Sequence, residues 1–157
     1  MLPRGLARAS VSSPFSPMRD TNIYRPSYSS ETAMNAEQSE NTSNKGQLGE
    51  DVASAFLRDK GYEIIERNWR IGEGEIDIIA KTAQTIVFVE VKTAYSDKFG
   101  DPLEWVNSAK QRQIGKMAAV WIERHKVENC WFRFDVLALT KKDNGFQVKH
   151  IEDAFML

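Results

Sequence analysis

The chain is poor in the residues that make covalent staples and soft-metal sites. Its 157 residues include one cysteine, Cys130, and two histidines, His125 and His150. A single thiol closes no internal disulfide and builds no zinc cage, which suits a reducing, cytoplasmic setting. Trp131 and Phe132 beside it favour a packed, inert thiol over a reactive one. Two well-separated histidines support neither a zinc hydrolase nor a Cys–His nucleophile. No apolar run approaches the roughly 20 residues that span a bilayer. Positive charge is not in excess either, since 21 Lys and Arg face 22 Asp and Glu. Nucleic-acid binding would therefore have to come from local clusters of Lys and Arg.

Proline is scarce except at the front of the chain. Four of the five, Pro3, Pro14, Pro17 and Pro26, fall among Ser, Thr and Asn within residues 1–44. With no sustained periodicity there, residues 1–44 are expected to be a disordered tail and residues 45–157 the folded unit. Arg4, Arg8, Arg19 and Arg25 against Asp20 faintly resemble a transit peptide. The simpler reading is an over-extended start, with Met34 as the true beginning.

From Gly46 to Lys60 the spacing predicts an amphipathic helix with Leu48, Val52, Ala55 and Phe56 as its stripe. Asp51, Ser54 and Arg58 would form its polar side, and Gly61 its C-cap. Tyr62–Trp69, Glu75–Ala80 and Thr85–Lys92 have strand composition, with a turn over Arg70–Gly74 and a tight hairpin between the last two. A polar loop with Gly100 and Pro102 leads to a helix from about Ser108 to Lys126, whose stripe is Ile114, Met117, Ala118, Trp121 and Ile122. Trp131–Thr140 and Phe146–Ile151 close the chain as strands around Asp143-Asn144-Gly145. The order α-β-β-β-α-β-β predicts an α/β fold with a mixed central sheet flanked by helices. The loop before the second long helix is where a substrate would enter.

The third strand, Ile86-Val87-Phe88-Val89-Glu90-Val91-Lys92, is the most informative segment. Alternate residues of a strand share a face, so Ile86, Phe88, Glu90 and Lys92 point one way and Val87, Val89 and Val91 the other. One face thus runs from apolar to a carboxylate beside an ammonium. Asp77 sits between Ile76 and Ile78 on the preceding strand. An acid there costs several kcal/mol, on the order of the usual burial penalties, unless paired or metal-bound. Acid, short turn, then acid-x-Lys is a spacing suited to holding a cation against a phosphodiester. Taken singly, Glu90 with Lys92 is more simply a solvated ion pair at a strand end.

Glu50 adds a third acid, aligned on the first helix with Ala53 and Leu57, so it can face the sheet; a helix-end charge is the bland alternative. Glu75 shares a face with Asp77 and could replace it, or pair with Arg70. Arg133 and Asp135 read as a structural ion pair, His125 as a packed residue and His150 as an isolated histidine. Lys110, Arg112 and Lys116 on the second helix, with Lys126 further along, are a solvated face or a phosphate-contacting edge.

Asp77 followed by Glu90-Val91-Lys92 after a hairpin, with Glu50 on the preceding helix, resembles the PD-(D/E)xK nuclease superfamily. The order αβββαβ resembles its restriction-endonuclease-like core, and Gly49-Glu50 is similar to the helix of archaeal Holliday-junction resolvases. More closely, Gly46-Gln-Leu-Gly-Glu50, Gly74-Glu-Ile-Asp-Ile-Ile-Ala80, Phe88-Val-Glu-Val-Lys92, Lys110-Gln111, Arg133-Phe-Asp-Val136 and Ile151-Glu-Asp-Ala-Phe155 resemble the YraN-like family of small bacterial proteins. Two departures stand out. Ile76 replaces the proline of the superfamily motif, and Ala94 stands where relatives commonly carry a basic residue.

The resemblance implies that Asp77 and Glu90, with the Val91 carbonyl, ligate Mg²⁺ or Mn²⁺. Lys92 would orient or help deprotonate water, and Glu50 would position a second metal or Lys92. It further implies metal-dependent hydrolysis of nucleic acid, most simply DNA, on branched or single-stranded substrates. A catalytically silent nucleic-acid-binding or repair module is the alternative, and a pure protein-interaction domain a third. Relatives of this fold often act as homodimers, but no self-complementary patch is visible in the sequence.

Overall fold

The computed structural model describes residues 23–26, 42–96 and 100–156. The expected tail over 1–44 lies mostly outside the described residues, with two corrections. Ile23–Tyr24 form a short strand, β1, and the first helix begins at Thr42 rather than Gly46. That helix, α1, spans Thr42–Asp59. It is followed by β2 (Glu63–Ile71), β3 (Gly74–Thr82) and β4 (Thr85–Ala94). A short 3-10 turn, Pro102–Trp105, precedes α2 (Ser108–His125), and β5 (Trp131–Lys142) and β6 (Gly145–Ile151) complete the fold.

Among the described residues six strands form one sheet, in the order β1-β6-β5-β4-β3-β2. All neighbours are antiparallel except β4 and β5, which run parallel because α2 crosses between them. The αβββαβ order is as expected, and β1 extends the sheet beyond β6 through Ile23 opposite Gln147. The β2–β3 turn is tighter than expected: Arg70 and Ile71 belong to the strand, and Gly72-Glu73 turn the chain. No helix of the described residues is long and apolar enough to cross a membrane.

Both faces of the sheet are covered. Val87 and Val89 pack with Val52, Ala53 and Leu57 of α1, while Ile86 and Phe88 pack with Met117, Ala118 and Trp121 of α2. The alternation along β4 thus sorts its side chains between the two helices. Helix α1 is turned from the expected stripe: Val52, Ala53 and Leu57 are fully buried, whereas Leu48, Ala55 and Phe56 lie at the margin. Ser54, expected on the polar side, is also fully buried, and its hydroxyl has no hydrogen-bond partner among the described residues. The helix enters deeper than an amphipathic stripe requires, because small residues (Gly49, Ala53, Ser54) allow it. On the other face, Trp121 packs edge-on to Phe88 at 5.7 Å between centroids and donates its indole N–H to Glu66 at 2.9 Å.

His150 is not isolated. It is almost wholly enclosed, and its Nε2 lies 2.8 Å from Oδ2 of Asp135. Arg133 reaches the same carboxylate through Nε and Nη2, each at 2.8 Å, and the Asp153 N–H donates to it at 3.0 Å. Burial alone would raise the Asp135 carboxyl, but the bonds from His150 and Arg133 outweigh it and hold the group below its ordinary value. The expected Arg133–Asp135 pair is therefore the centre of a network joining β5 to the C-terminal turn.

Candidate metal and nucleic-acid site

The site forms where β3 and β4 part. Their last paired residues are Ile78 and Val89; toward Asp77 and Glu90 the ladder stops. The facing alternation also breaks there. Ile76 packs on the α2 side and Ile78 on the α1 side, although residues two apart on a regular strand share a face. Opposite this point, Asn68 of β2 adopts a left-handed backbone, φ 52°. The Asp77 carboxylate uses the gap: its Oδ2 accepts the Val91 N–H at 2.7 Å, taking up a donor that the parted strands no longer satisfy between them.

Glu90 points to the α2 side, in line with Phe88, and is 4% exposed. Two ammonium groups flank it, Lys92 Nζ at 2.8 Å from Oε1 and Lys110 Nζ at 3.4 Å from Oε2. The second contact is an ion pair without hydrogen-bond geometry, and the buried Oε2 has no hydrogen-bond partner among the described residues. Lys110 is aimed by the start of α2, where the Asn107 side chain accepts the Lys110 N–H at 3.0 Å and caps the helix. A lysine in a first turn opposes the helix dipole, and this turn contains no acid. Glu90, from across the fold, supplies the missing negative charge.

Glu50 reaches the same recess because α1 presses closely on β4. A Cβ on Gly49 would run into the Thr93 hydroxyl, so only glycine lets the helix come this near. Burial raises the Glu50 carboxyl, opposed by a hydrogen bond with Asn68. Arg67 stands 4.0 Å from Glu50 but is engaged mainly by Asp51 at 2.6 Å.

These groups line one open recess of about 480 Å³. Glu50, Asp77 and Glu90 supply its acids, Lys45, Lys92 and Lys110 its cations, and Tyr95 stands among them. Asp77 is pushed up to about 7, first by burial and then by the negative charge of Glu90, with the Val91 N–H opposing both. Two acids and a backbone segment fit a hard divalent cation: the donors are all oxygens, one buried carboxylate oxygen lacks a hydrogen bond from the described residues, and the acids repel. Among the described residues no three or more Asp, Glu, His or Cys gather closely enough to hold a metal by themselves. A cation here would complete its shell with water or phosphate oxygens.

The remaining candidates separate from the recess. Glu75 is held by Arg70 through Nε and Nη2 at 2.9 and 2.8 Å. Arg112 and Lys116 are exposed on α2 and do not line the recess, so Lys110 differs from the two residues grouped with it. His125 stacks on Trp121 at 4.2 Å. Ala94 is buried, where a basic side chain would have needed an outlet. Sequence reasoning passed over Lys45 and Tyr95 altogether. The one available signal was an aromatic residue three positions past Lys92, at the end of the strand that carries the site.

The match to the model of uncharacterised protein family UPF0102 covers residues 49–139, which contain all three acids, Lys92 and Lys110. The chain is 45% identical to a UPF0102 protein of Syntrophus aciditrophicus over 71% of its own length and 88% of the relative's. It is 46% identical to one of Caldicellulosiruptor saccharolyticus, over 70% of this chain and 95% of that one. The similarity to one from Geotalea uraniireducens reaches 79% of this chain and 98% of the relative, at 41% identity. Among solved structures the chain is similar to Pyrococcus furiosus SfsA in complex with Ca²⁺, with 16% identity and a TM-score of 0.34. That likeness covers 68% of this chain and 63% of the other, and is too loose to carry a function across. By family model and by relatives matched over most of their length, the chain belongs to the UPF0102 family, the YraN-like family that its motifs resemble.

Proposed function

We propose that this protein is a divalent-metal-dependent endonuclease that hydrolyses phosphodiester bonds of DNA. One observation carries the reading: Asp77 and Glu90 line one recess at the parted ends of β3 and β4, the charge of one disfavouring that of the other, with Lys92 on Glu90 at 2.8 Å. Two like charges, Glu90 buried and Asp77 half-buried, are unfavourable together in the resting protein and become favourable when a cation sits between them. Asp77, Glu90 and the Val91 carbonyl are the groups to hold Mg²⁺ or Mn²⁺. Such an ion, when bound, offsets charge on the phosphate and makes water a better nucleophile near neutral pH. Lys92 Nζ would orient that water and relay its proton, taking one from the water as its ammonium gives one to solvent, and Glu50 would keep Lys92 and the cation in position. Lys110 exchanges its contact with Glu90 for a phosphate oxygen.

A second reading, a catalytically silent nucleic-acid-binding or repair accessory module, draws on the two lysines that already flank Glu90 and on the fact that no three metal-ligating side chains gather among the described residues. A nicking assay separates the two. Wild type and Glu90→Ala are compared on single-stranded, duplex, flap and four-way DNA with Mg²⁺ or Mn²⁺. The endonuclease reading expects cleavage by wild type alone. Equal cleavage by both proteins means a contaminating nuclease, and binding without cleavage favours the silent module.

A further inference from the structure

The mouth of the recess contains a side chain that hydrolysis leaves unused. Tyr95, three residues past Lys92, is 42% exposed and lines the same recess as Asp77, Glu90 and Lys92. Its ring is held in place. The hydroxyl donates to the Lys45 carbonyl at 3.1 Å, and Lys45 Nζ stands 5.3 Å from the ring centroid. A tyrosine tethered at its tip, with an ammonium over its ring and much of its surface open, is a rigid amphipathic plate beside a cluster of phosphate-seeking groups.

We propose that Tyr95 is a stacking platform for an unpaired nucleobase, with Lys45 contacting the neighbouring phosphate, so that the site takes single-stranded or locally opened DNA in preference to intact duplex. The inference rests on the nucleic-acid reading of the recess and names its substrate class. In a duplex each base is covered on both faces by its neighbours, so a fixed aromatic plate has nothing to stack on. An unpaired base offers a free face, and because every base has one, the preference is for strandedness and not for sequence. Electrostatics alone is a weak source of affinity in a chain of net charge −1. Stacking supplies affinity that the charge does not. It also sets the geometry: a base seated on Tyr95 leaves the adjoining backbone facing the acids, because both line one recess.

A purely structural role for Tyr95 is the competing explanation, since its hydroxyl also ties the end of β4 to α1. Tyr95→Phe removes that tie and keeps the ring, whereas Tyr95→Ala removes both. Fluorescence anisotropy of the full-length protein is measured with three labelled probes of equal length: a thymidine oligonucleotide, a blunt duplex, and an abasic strand with the same phosphates. Ca²⁺ replaces Mg²⁺, to neutralise the acids with an ion of looser coordination. Tyr95→Ala is expected to weaken thymidine-strand binding by roughly ten- to a hundredfold, from the usual worth of one base–aromatic stack. Tyr95→Phe should retain most of the affinity, and wild type should bind the abasic strand as poorly as Tyr95→Ala binds thymidine. Wild type binding the abasic strand as tightly as the thymidine strand overturns the platform while leaving the endonuclease reading intact. So does an equal loss for single strand and duplex in Tyr95→Ala. Wild type that binds none of the probes overturns both.

Discussion

The Asp77 carboxylate accepts the Val91 N–H at 2.7 Å across the point where β3 and β4 cease to pair. This bond does two things at once. It satisfies a backbone donor that the parted strands expose, and it draws Asp77 to the strand that carries Glu90. An ordinary β-ladder would pair backbone with backbone and leave both acids on a flat sheet surface. Here a side chain replaces the ladder, and the opening between the strands becomes the recess.

The first prediction separates cation holding from proton transfer. Asp77→Ala and Glu90→Ala should each abolish Mn²⁺ binding in calorimetry and any cleavage. Lys92→Ala should keep Mn²⁺ binding and slow nicking by roughly 10²–10⁴-fold, the usual cost of losing a proton-transfer group. A Lys92→Ala protein that loses Mn²⁺ binding would show that the ammonium organises Glu90 rather than handling the proton.

The second concerns pH. Asp77 is raised from 3.8 to about 7 in the folded chain, so between those values the native state binds more protons than the unfolded one. Stability therefore falls as pH rises across that window, and is flat above it as far as this group is concerned. Asp77→Asn can still accept the Val91 N–H but never ionises. Thermal melts without divalent ions should show the variant more stable than wild type at pH 8, with the difference closing toward pH 4. Added Mn²⁺ should raise the wild-type midpoint at pH 8 and leave that of Asp77→Asn unmoved. A variant less stable than wild type at pH 8 would mean that the charge on Asp77 is already neutralised by the surrounding lysines.

The third uses two glycines of one helix. Gly46→Ala meets nothing within 4 Å among the described residues, while Gly49→Ala drives its Cβ into Thr93. Gly46→Ala should stabilise the protein by about 0.5–1 kcal/mol through helix propensity. Gly49→Ala should lose about 1–3 kcal/mol to overpacking, a cost that exceeds the same gain in propensity. Urea melts of both variants measure the difference, and nicking by Gly49→Ala should fall as α1 carries Glu50 away from Glu90. If both glycines tolerate alanine equally, α1 does not approach β4 at Thr93 as described.

Local pattern by itself determined much of this protein. Period-two alternation set β4 between two helices, and period 3.6 located both helices, because these repeats depend only on which side of a backbone must be buried. Asp77 between two isoleucines and Glu90 at the end of an apolar face were legible for the same reason, as charges placed where charge is costly. The alignment of Glu50 with Ala53 and Leu57 likewise pointed it to the sheet, and both of those neighbours are fully buried. What the sequence could not decide is what meets across distance. The rotation of α1 onto Ser54 follows from the room left by Gly49, which shows only when Thr93 is beside it. His150 becomes the partner of a buried Asp135 only once β6 pairs with β5. Lys110 turns to Glu90, and Lys45 to Tyr95, because a helix start and a strand end far apart in the chain are brought together. Periodicity is a property of one element, whereas a site is a property of where several elements end, and only tertiary packing sets that.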